Sequence, residues 1–188
     1  MKKTFLLLML SSLFYAGNAQ RERTSRSRNG SGAAVGTSAR TSHFGIGVEG
    51  GLPVGENGKV YSAVFGANLQ YETMPDADLG ITLSAGYLHF PLKKIYHTTA
   101  GPNSSGFVPL LAGIKYYFTP GAFFHAQLGA AVSTTKDIFG NTGGTSFAYA
   151  PGVGVKLSPN IDAELKYMGI SNKGGTLPNV GLRLGYNF

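Results

Sequence analysis

From Phe147 to Phe188 the chain alternates bulky apolar side chains with small or charged ones over three successive segments. Phe147, Tyr149, Val153, Val155 and Leu157 alternate with Ala148, Ala150, Gly152, Gly154 and Lys156. After Ser158-Pro159-Asn160, Ile161, Ala163, Leu165 and Tyr167 alternate with Asp162, Glu164, Lys166 and Met168. After a glycine-containing loop, Val180, Leu182, Leu184, Tyr186 and Phe188 alternate with Asn179, Gly181, Arg183, Gly185 and Asn187. A period of two is the signature of strands with one apolar face. A water-soluble β-barrel directs its bulky side chains inward. Here the opposite face is made of glycine, alanine and ions, so the bulky face is expected to meet lipid.

The same parity runs back along the chain and defines eight expected strands: 43–52, 60–72, 79–90, 107–118, 122–132, 147–157, 161–170 and 179–188. Each is long enough for a tilted membrane strand, which needs about 9–11 residues, whereas soluble strands run nearer ~5–6. Connections 91–106 and 133–146 are long and 53–59 and 171–178 are medium. They alternate with the short connections 73–78, Thr119-Pro120-Gly121 and Ser158-Pro159-Asn160. Long loops at one end and short turns at the other are the outer-membrane barrel pattern. The expected fold is an all-β, eight-stranded antiparallel up-and-down transmembrane barrel over residues 43–188.

Aromatic residues gather near strand ends on the outward face. Phe44, Tyr71, Tyr116, Phe118, Phe124, Tyr186 and Phe188 fall at the turn end; Tyr61, Tyr87, Phe147, Tyr149 and Tyr167 fall at the loop end. Two such belts around an apolar band match the interfacial preference of tyrosine. Pro109 and Pro151 lie inside strands without an N–H to donate, so bulges, or pairing that begins below them, are expected there.

What precedes the barrel reads differently. In residues 1–19, Lys2-Lys3, the short apolar run Phe5 to Tyr15 and the small residues Gly17-Asn18-Ala19 form a cleavable secretory signal. Residues 20–42 are rich in Arg, Ser and Gly and bury too little to order, so a disordered periplasmic segment is expected. It serves either as a solvated linker or as a basic arm touching anionic headgroups. Of the formal charge of +7, these two segments hold +6: residues 43–188 carry nine basic and eight acidic side chains, a net of +1. A nucleic-acid-binding fold is therefore not indicated. With no cysteine there is no disulfide, thiolate metal site or thiol nucleophile.

By parity, four acids (Glu49, Glu72, Asp162 and Glu164) and four bases (Lys115, Lys156, Lys166 and Arg183) face inward. Asn68, Gln70, Thr82, Ser84, His125 and Gln127 join them. Buried charges persist when paired, and an eight-stranded barrel is just wide enough for side chains to fill. A plugged polar interior is expected, with no open pore. Closure brings the last strand beside the first, so Arg183 is expected to pair with Glu49, Glu164 or both.

No residue set has metal-ligand spacing or the form of a catalytic or cofactor motif. The glycine strings, such as Gly152-Val153-Gly154, open no helix and are not nucleotide loops. A His/Ser/Asp cluster from His89, His97, Ser104, Ser105 and Asp137 is geometrically allowed near the loop-end rim, but any polar residues in loops look similar.

Several runs carry a family resemblance: Phe44-Gly45-Ile46-Gly47-Val48-Glu49-Gly50-Gly51, the segment 109–118, the segment 151–157, and the ending Gly181-Leu182-Arg183-Leu184-Gly185-Tyr186-Asn187-Phe188. On these residues the chain resembles the small outer-membrane β-barrel family of OmpX/OmpA type, in the form common among Bacteroidetes. The resemblance implies that the terminal aromatics Tyr186 and Phe188 are read by the barrel-assembly machinery. It implies residence in the outer membrane of a Gram-negative cell, in contact with its lipid, and a structural or surface-interaction role through the long loops, with a surface or periplasmic protein as partner. A barrel component of a secretion or transport assembly, and a lipid-modifying enzyme acting through residues such as His97 or Asp137, are the alternatives.

Overall fold

The computed structural model of the chain describes residues 41–97, 103–134, 144–172 and 175–188. Eight antiparallel strands close into a barrel in which each pairs with its neighbours in sequence and the last with the first. They are β1 (Thr41–Pro53), β2 (Val64–Asp76), β3 (Leu79–Pro91), β4 (Ser104–Thr119), β5 (Ala122–Ser133), β6 (Thr145–Lys156), β7 (Ile161–Asn172) and β8 (Gly175–Asn187). The leader and nearly all of the basic segment lie outside the described residues, as does Asp137.

The registers fix the geometry. Pairing runs from Phe44 through Tyr71, Leu83, Ala112, Leu128, Tyr149, Gly169 and Pro178. It then returns to β1 at Val54, through the Val54 N–H to Pro178 carbonyl bond of 3.0 Å. The circuit climbs ten residues along β1. That stagger forces the strands to tilt, by roughly 35–45° for barrels of this kind.

The turn end is closed by local chemistry. At Ser158–Asn160 the Ser158 hydroxyl accepts from the N–H groups of Asn160 (3.3 Å) and Ile161 (3.1 Å). The Asn160 side chain donates to the Asn187 carbonyl at 2.7 Å, tying this turn to the end of β8. These bonds occupy polar groups that the sheet leaves unpaired.

Side-chain direction follows the alternation. Ile46, Val48, Leu69, Leu83, Ile114, Leu128, Val153, Leu165, Leu182 and Leu184 are exposed on the outer wall, while Gln70, Glu72, Lys115, His125, Asp162, Glu164, Lys166 and Arg183 are buried inside. Arg183 retains only 1% of its accessible surface; its neighbour Leu182 retains 49%. Aromatic pairs mark the turn end: Phe44–Tyr71, Phe118–Phe124 and Tyr186–Phe188 have ring centroids 4.9, 4.8 and 5.2 Å apart. At the loop end Tyr149 contacts both Phe147 and Tyr167 at 6.1 Å. The Tyr149 ring lies over its cross-strand partner Gly169, where a Cβ would collide with it.

The structure corrects the sequence reading of the strands at several places. Thr41 and Ser42, assigned to the disordered segment, belong to β1, and the Ser42 hydroxyl bonds that of Thr73 at 3.0 Å. β2 begins at Val64 rather than residue 60, because a single helical turn, α1 (Asn57–Val60), precedes it. That turn breaks the parity, so Tyr61 is buried inside instead of standing in the outer belt. The connection expected over 171–178 is mostly strand, since β7 and β8 pair up to Asn172 and Gly175. Neither Pro109 nor Pro151 makes a bulge. The β3–β4 ladder skips a step beside Pro109, between Ala85↔Leu110 and Leu88↔Phe107, and resumes in the same register. The β6–β7 ladder does the same beside Pro151. Each proline keeps its place opposite β5, at Ala131 and Ala126 respectively.

Candidate functional site

Ionisable and polar side chains converge in the interior, which divides into two layers. The layer toward the turn end and the barrel's middle is ionic. Glu72 accepts from Lys115 at 2.8 Å and from the Tyr117 hydroxyl at 2.6 Å, and His43 stands 3.4 Å away. Lys115 also lies 4.6 Å above the Phe123 ring, and Lys156 lies 4.8 Å above Tyr117. These two aromatic rings, 5.4 Å apart, floor the interior at the turn end. Phe123 occupies space that a Cβ on Gly154 would fill, so only glycine fits opposite it.

Arg183 faces inward, directly across from Glu49 on one side and Glu164 on the other. Its ion-pair partner is neither of them. The guanidinium donates to Asp162 at 2.7 Å and, through Nε, to Asn68 at 3.1 Å. The expected pairing is thus corrected. Glu49 is held by Lys166 at 2.7 Å and by the Asn68 amide, and Glu164 by His125 at 2.9 Å. The physical reason is reach. Neighbours opposite in register stand side by side, whereas the long guanidinium leans toward the turn end and meets the shorter Asp162, which Asn187 also holds at 2.7 Å. Gly185, between them, leaves the room: a Cβ there would strike both the guanidinium and the Asp162 carboxylate.

Of the eight inward charges, six stand in three ion pairs within this interior, Glu164 is hydrogen-bonded by His125, and Lys156 rests on an aromatic face. Pairing offsets the desolvation that an isolated buried ion would suffer.

The layer toward the loop end is apolar. Tyr61, Leu88, Phe90, Phe107, Leu111, Met168, Ile170 and Leu177 pack into one buried cluster, with Val60 and Leu92 against it. Tyr61 and Ser105 share a hydrogen bond of 2.8 Å within it. Sequence reasoning did not find this layer. Its signal was present in the parity of the same strands, since Leu88, Phe90, Met168 and Ile170 stand on the inward positions. The interior is therefore plugged, but only half of the plug is polar.

One triad-like relay exists. The Thr82 hydroxyl contacts His125 Nε2 at 2.9 Å, and His125 Nδ1 contacts Glu164 at 2.9 Å. With the Nδ1–H donated to the carboxylate, Nε2 accepts from the hydroxyl. The order resembles hydroxyl–imidazole–carboxylate catalysis. All three side chains are buried, so the relay fixes the ring in place. The cavity nearest the barrel's centre, lined by Glu49, Gln70, Ser84, Gln127, Lys166 and Arg183 among others, holds about 10 Å³. That is close to the room for one water molecule and far below a ligand pocket.

The expected rim cluster does not assemble among the described residues. The Ser105 hydroxyl is engaged by Tyr61, and His97 is exposed with Nε2 3.1 Å from the Leu92 carbonyl. His89 stands on the outer wall between Phe65 and Tyr87. Among the described residues no three His, Asp or Glu side chains are placed to hold a metal ion.

With side chains inverted about a closed wall, the fold is that of a small transmembrane β-barrel. Solved structures agree. The chain is similar to the crystal structure of Ail, the attachment invasion locus protein of Yersinia pestis, with 20% identity, a TM-score of 0.55, and coverage of 78% of this chain and 97% of Ail. The backbone structure of Ail in a phospholipid bilayer nanodisc gives 21% identity, 79% and 100% coverage and a TM-score of 0.56. The N-terminal barrel domain of Pseudomonas aeruginosa OprF gives 18% identity, 79% and 99% coverage and a TM-score of 0.50. At these identities the likeness is one of fold. No family model matches the sequence, and no curated protein matches it either.

Proposed function

We propose that this chain is an outer-membrane barrel of a Gram-negative cell, exported by a leader removed after Ala19, with a structural or surface-interaction role through its loop-end connections. The observation that carries the reading is the inversion: leucine, isoleucine and valine ring the outside, while paired ions fill the inside. A surface of that kind is stable only in lipid. Long loops on a rigid wall are where partner contacts reside. The interior supports a non-conducting, non-catalytic role, because its ions are paired and the Thr82–His125–Glu164 relay is buried. In biogenesis, Tyr186 and Phe188, exposed and in contact at the end of the chain, offer the terminal aromatic pattern to the assembly machinery.

Membrane fractionation combined with gel mobility before and after boiling tests the placement. The protein is expected in the outer-membrane fraction with a faster unboiled band; a soluble protein with one mobility would overturn the reading. Deleting 92–103 or 134–144 tests the role: binding of a surface partner should be lost while the mobility shift persists. Co-purification of the barrel as a stoichiometric subunit of a large complex would favour a secretion or transport assembly instead. A change in lipid A mass dependent on His97 or Asp137 would favour an enzyme.

A further inference from the structure

The outer wall over β2 and β3 carries two features that meet at the outward column of β3. Going up β3, the outward positions are Leu83, Ala85, Tyr87, His89 and Pro91. The parity continues past the strand. The Lys93 N–H still donates to the Val60 carbonyl at 2.8 Å, and Leu92 packs inward on the apolar cluster, so Lys93 extends the outward column. Lys94 follows it, exposed. Among the described residues neither lysine has an acidic partner; Glu56, the one acid at this end, is paired with Lys59 at 2.8 Å. Just below, His89 lies against Phe65 and Tyr87, with ring centroids 5.1 and 6.5 Å apart.

The second feature lies lower on the same wall. A shallow apolar groove of about 690 Å³ runs beneath Tyr87, floored by Ala67 and Ala85 and walled by Val48, Leu69 and Leu184. Its floor is formed by two methyl groups where the neighbouring outward positions carry the larger Val48, Phe65, Leu69, Leu83 and Tyr87.

We infer that this wall holds one lipid molecule in a fixed place: a lipid whose phosphate headgroup carries a net negative charge, its phosphate at Lys93 and Lys94 beside His89, and one acyl chain in the groove over Ala67 and Ala85. The inference rests on the membrane placement proposed above. Length selects a lipid over a peptide or protein partner. Ala85 and Lys93 are eight residues apart, about 26 Å of strand, or about 20 Å along the membrane normal at a tilt of ~40°. One leaflet offers roughly 15 Å of hydrocarbon plus its headgroup zone. Basic side chains at that height, above an aromatic step, match the order of phosphate, interface and chain within a single lipid.

The test uses the full-length barrel, folded in dodecyl maltoside and examined by native mass spectrometry with added phosphatidylglycerol or phosphatidylcholine. The expected result is one retained phosphatidylglycerol in preference to phosphatidylcholine, not displaced by inorganic phosphate. Each lysine at a headgroup is worth about fivefold, so K93A/K94A should weaken retention roughly 25-fold. A67L/A85L, which fills the groove, should weaken it as well, while A126L, outward on β5 and away from the groove, should not. Equal retention of the two lipids, or indifference to both double variants, overturns the inference. So does a loss in A126L equal to that in A67L/A85L. Every variant should keep its heat-modifiable mobility, so an inserted barrel with no lipid preference refutes the lipid site alone. A wild-type chain that fails to insert refutes the membrane placement first.

Discussion

Replacing Arg183 by methionine removes one guanidinium from the middle of the barrel and leaves a carboxylate behind. In the native protein Asp162 receives Arg183 on one oxygen and Asn187 on the other, both at 2.7 Å, with each ion about 98% buried. After the substitution Asp162 keeps one neutral donor, and the Asn68 carbonyl loses the Nε bond. Removing one partner of a buried ion pair destabilises by about 3–5 kcal/mol, because the remaining charge stays desolvated. Replacing both partners by apolar residues of similar volume is often neutral or stabilising. R183M should therefore lose most of that amount, and R183M/D162L should recover most of the loss. Urea unfolding from lipid vesicles, followed by tyrosine fluorescence since the chain has no tryptophan, gives the free energies. The exposed Glu56–Lys59 pair is the control: K59A should leave the transition where it was. If R183M costs no more than K59A, water reaches the interior and the sealed-core argument fails.

Four further expectations follow from the same geometry. F123A removes the ring beneath Lys115 and leaves a cavity at the turn end, so it should cost about 3–5 kcal/mol in the same assay; a loss below ~1 kcal/mol would show that the floor collapses freely. Opposite it, G154V sets side-chain atoms on the Phe123 ring, and overpacking of this kind should cost about 1–3 kcal/mol, whereas G154V/F123A should be less destabilised than the sum of the singles. L165R places a cation on the lipid face and should cost about 2–4 kcal/mol near the bilayer midplane. In planar bilayers the wild type should show no conductance steps, while F90G/F107G, which thins the apolar layer, should admit small cations; steady conductance in the wild type would refute the two-layer plug.

The alternation Ile161, Ala163, Leu165, Tyr167 against Asp162, Glu164, Lys166 was enough to read strands, their number and the inversion of the wall, because in an extended chain side-chain direction depends only on parity. The same rule failed at Tyr61. One turn of helix ahead of β2 shifts the phase, and nothing in Asn57-Gly58-Lys59-Val60 alone announces that the turn stays helical instead of joining the strand. Pro109 and Pro151 suggest bulges, or pairing that begins below them, but each only interrupts one ladder. That the ladders resume in register beyond them depends on β5, which pairs with both β4 and β6 and holds each proline from its other side.

What the amino-acid order determined by itself is the direction of each side chain relative to the wall, and with it lipid outside and ions inside. What only the tertiary structure decided is which ion meets which. Partners across a closed, tilted barrel are set by a stagger of ten residues and by side-chain reach. Arg183 therefore passes over Glu49 and Glu164, its neighbours in register, and settles on Asp162. Pairing of that kind is a property of three strands at once, and no single segment of the chain contains it.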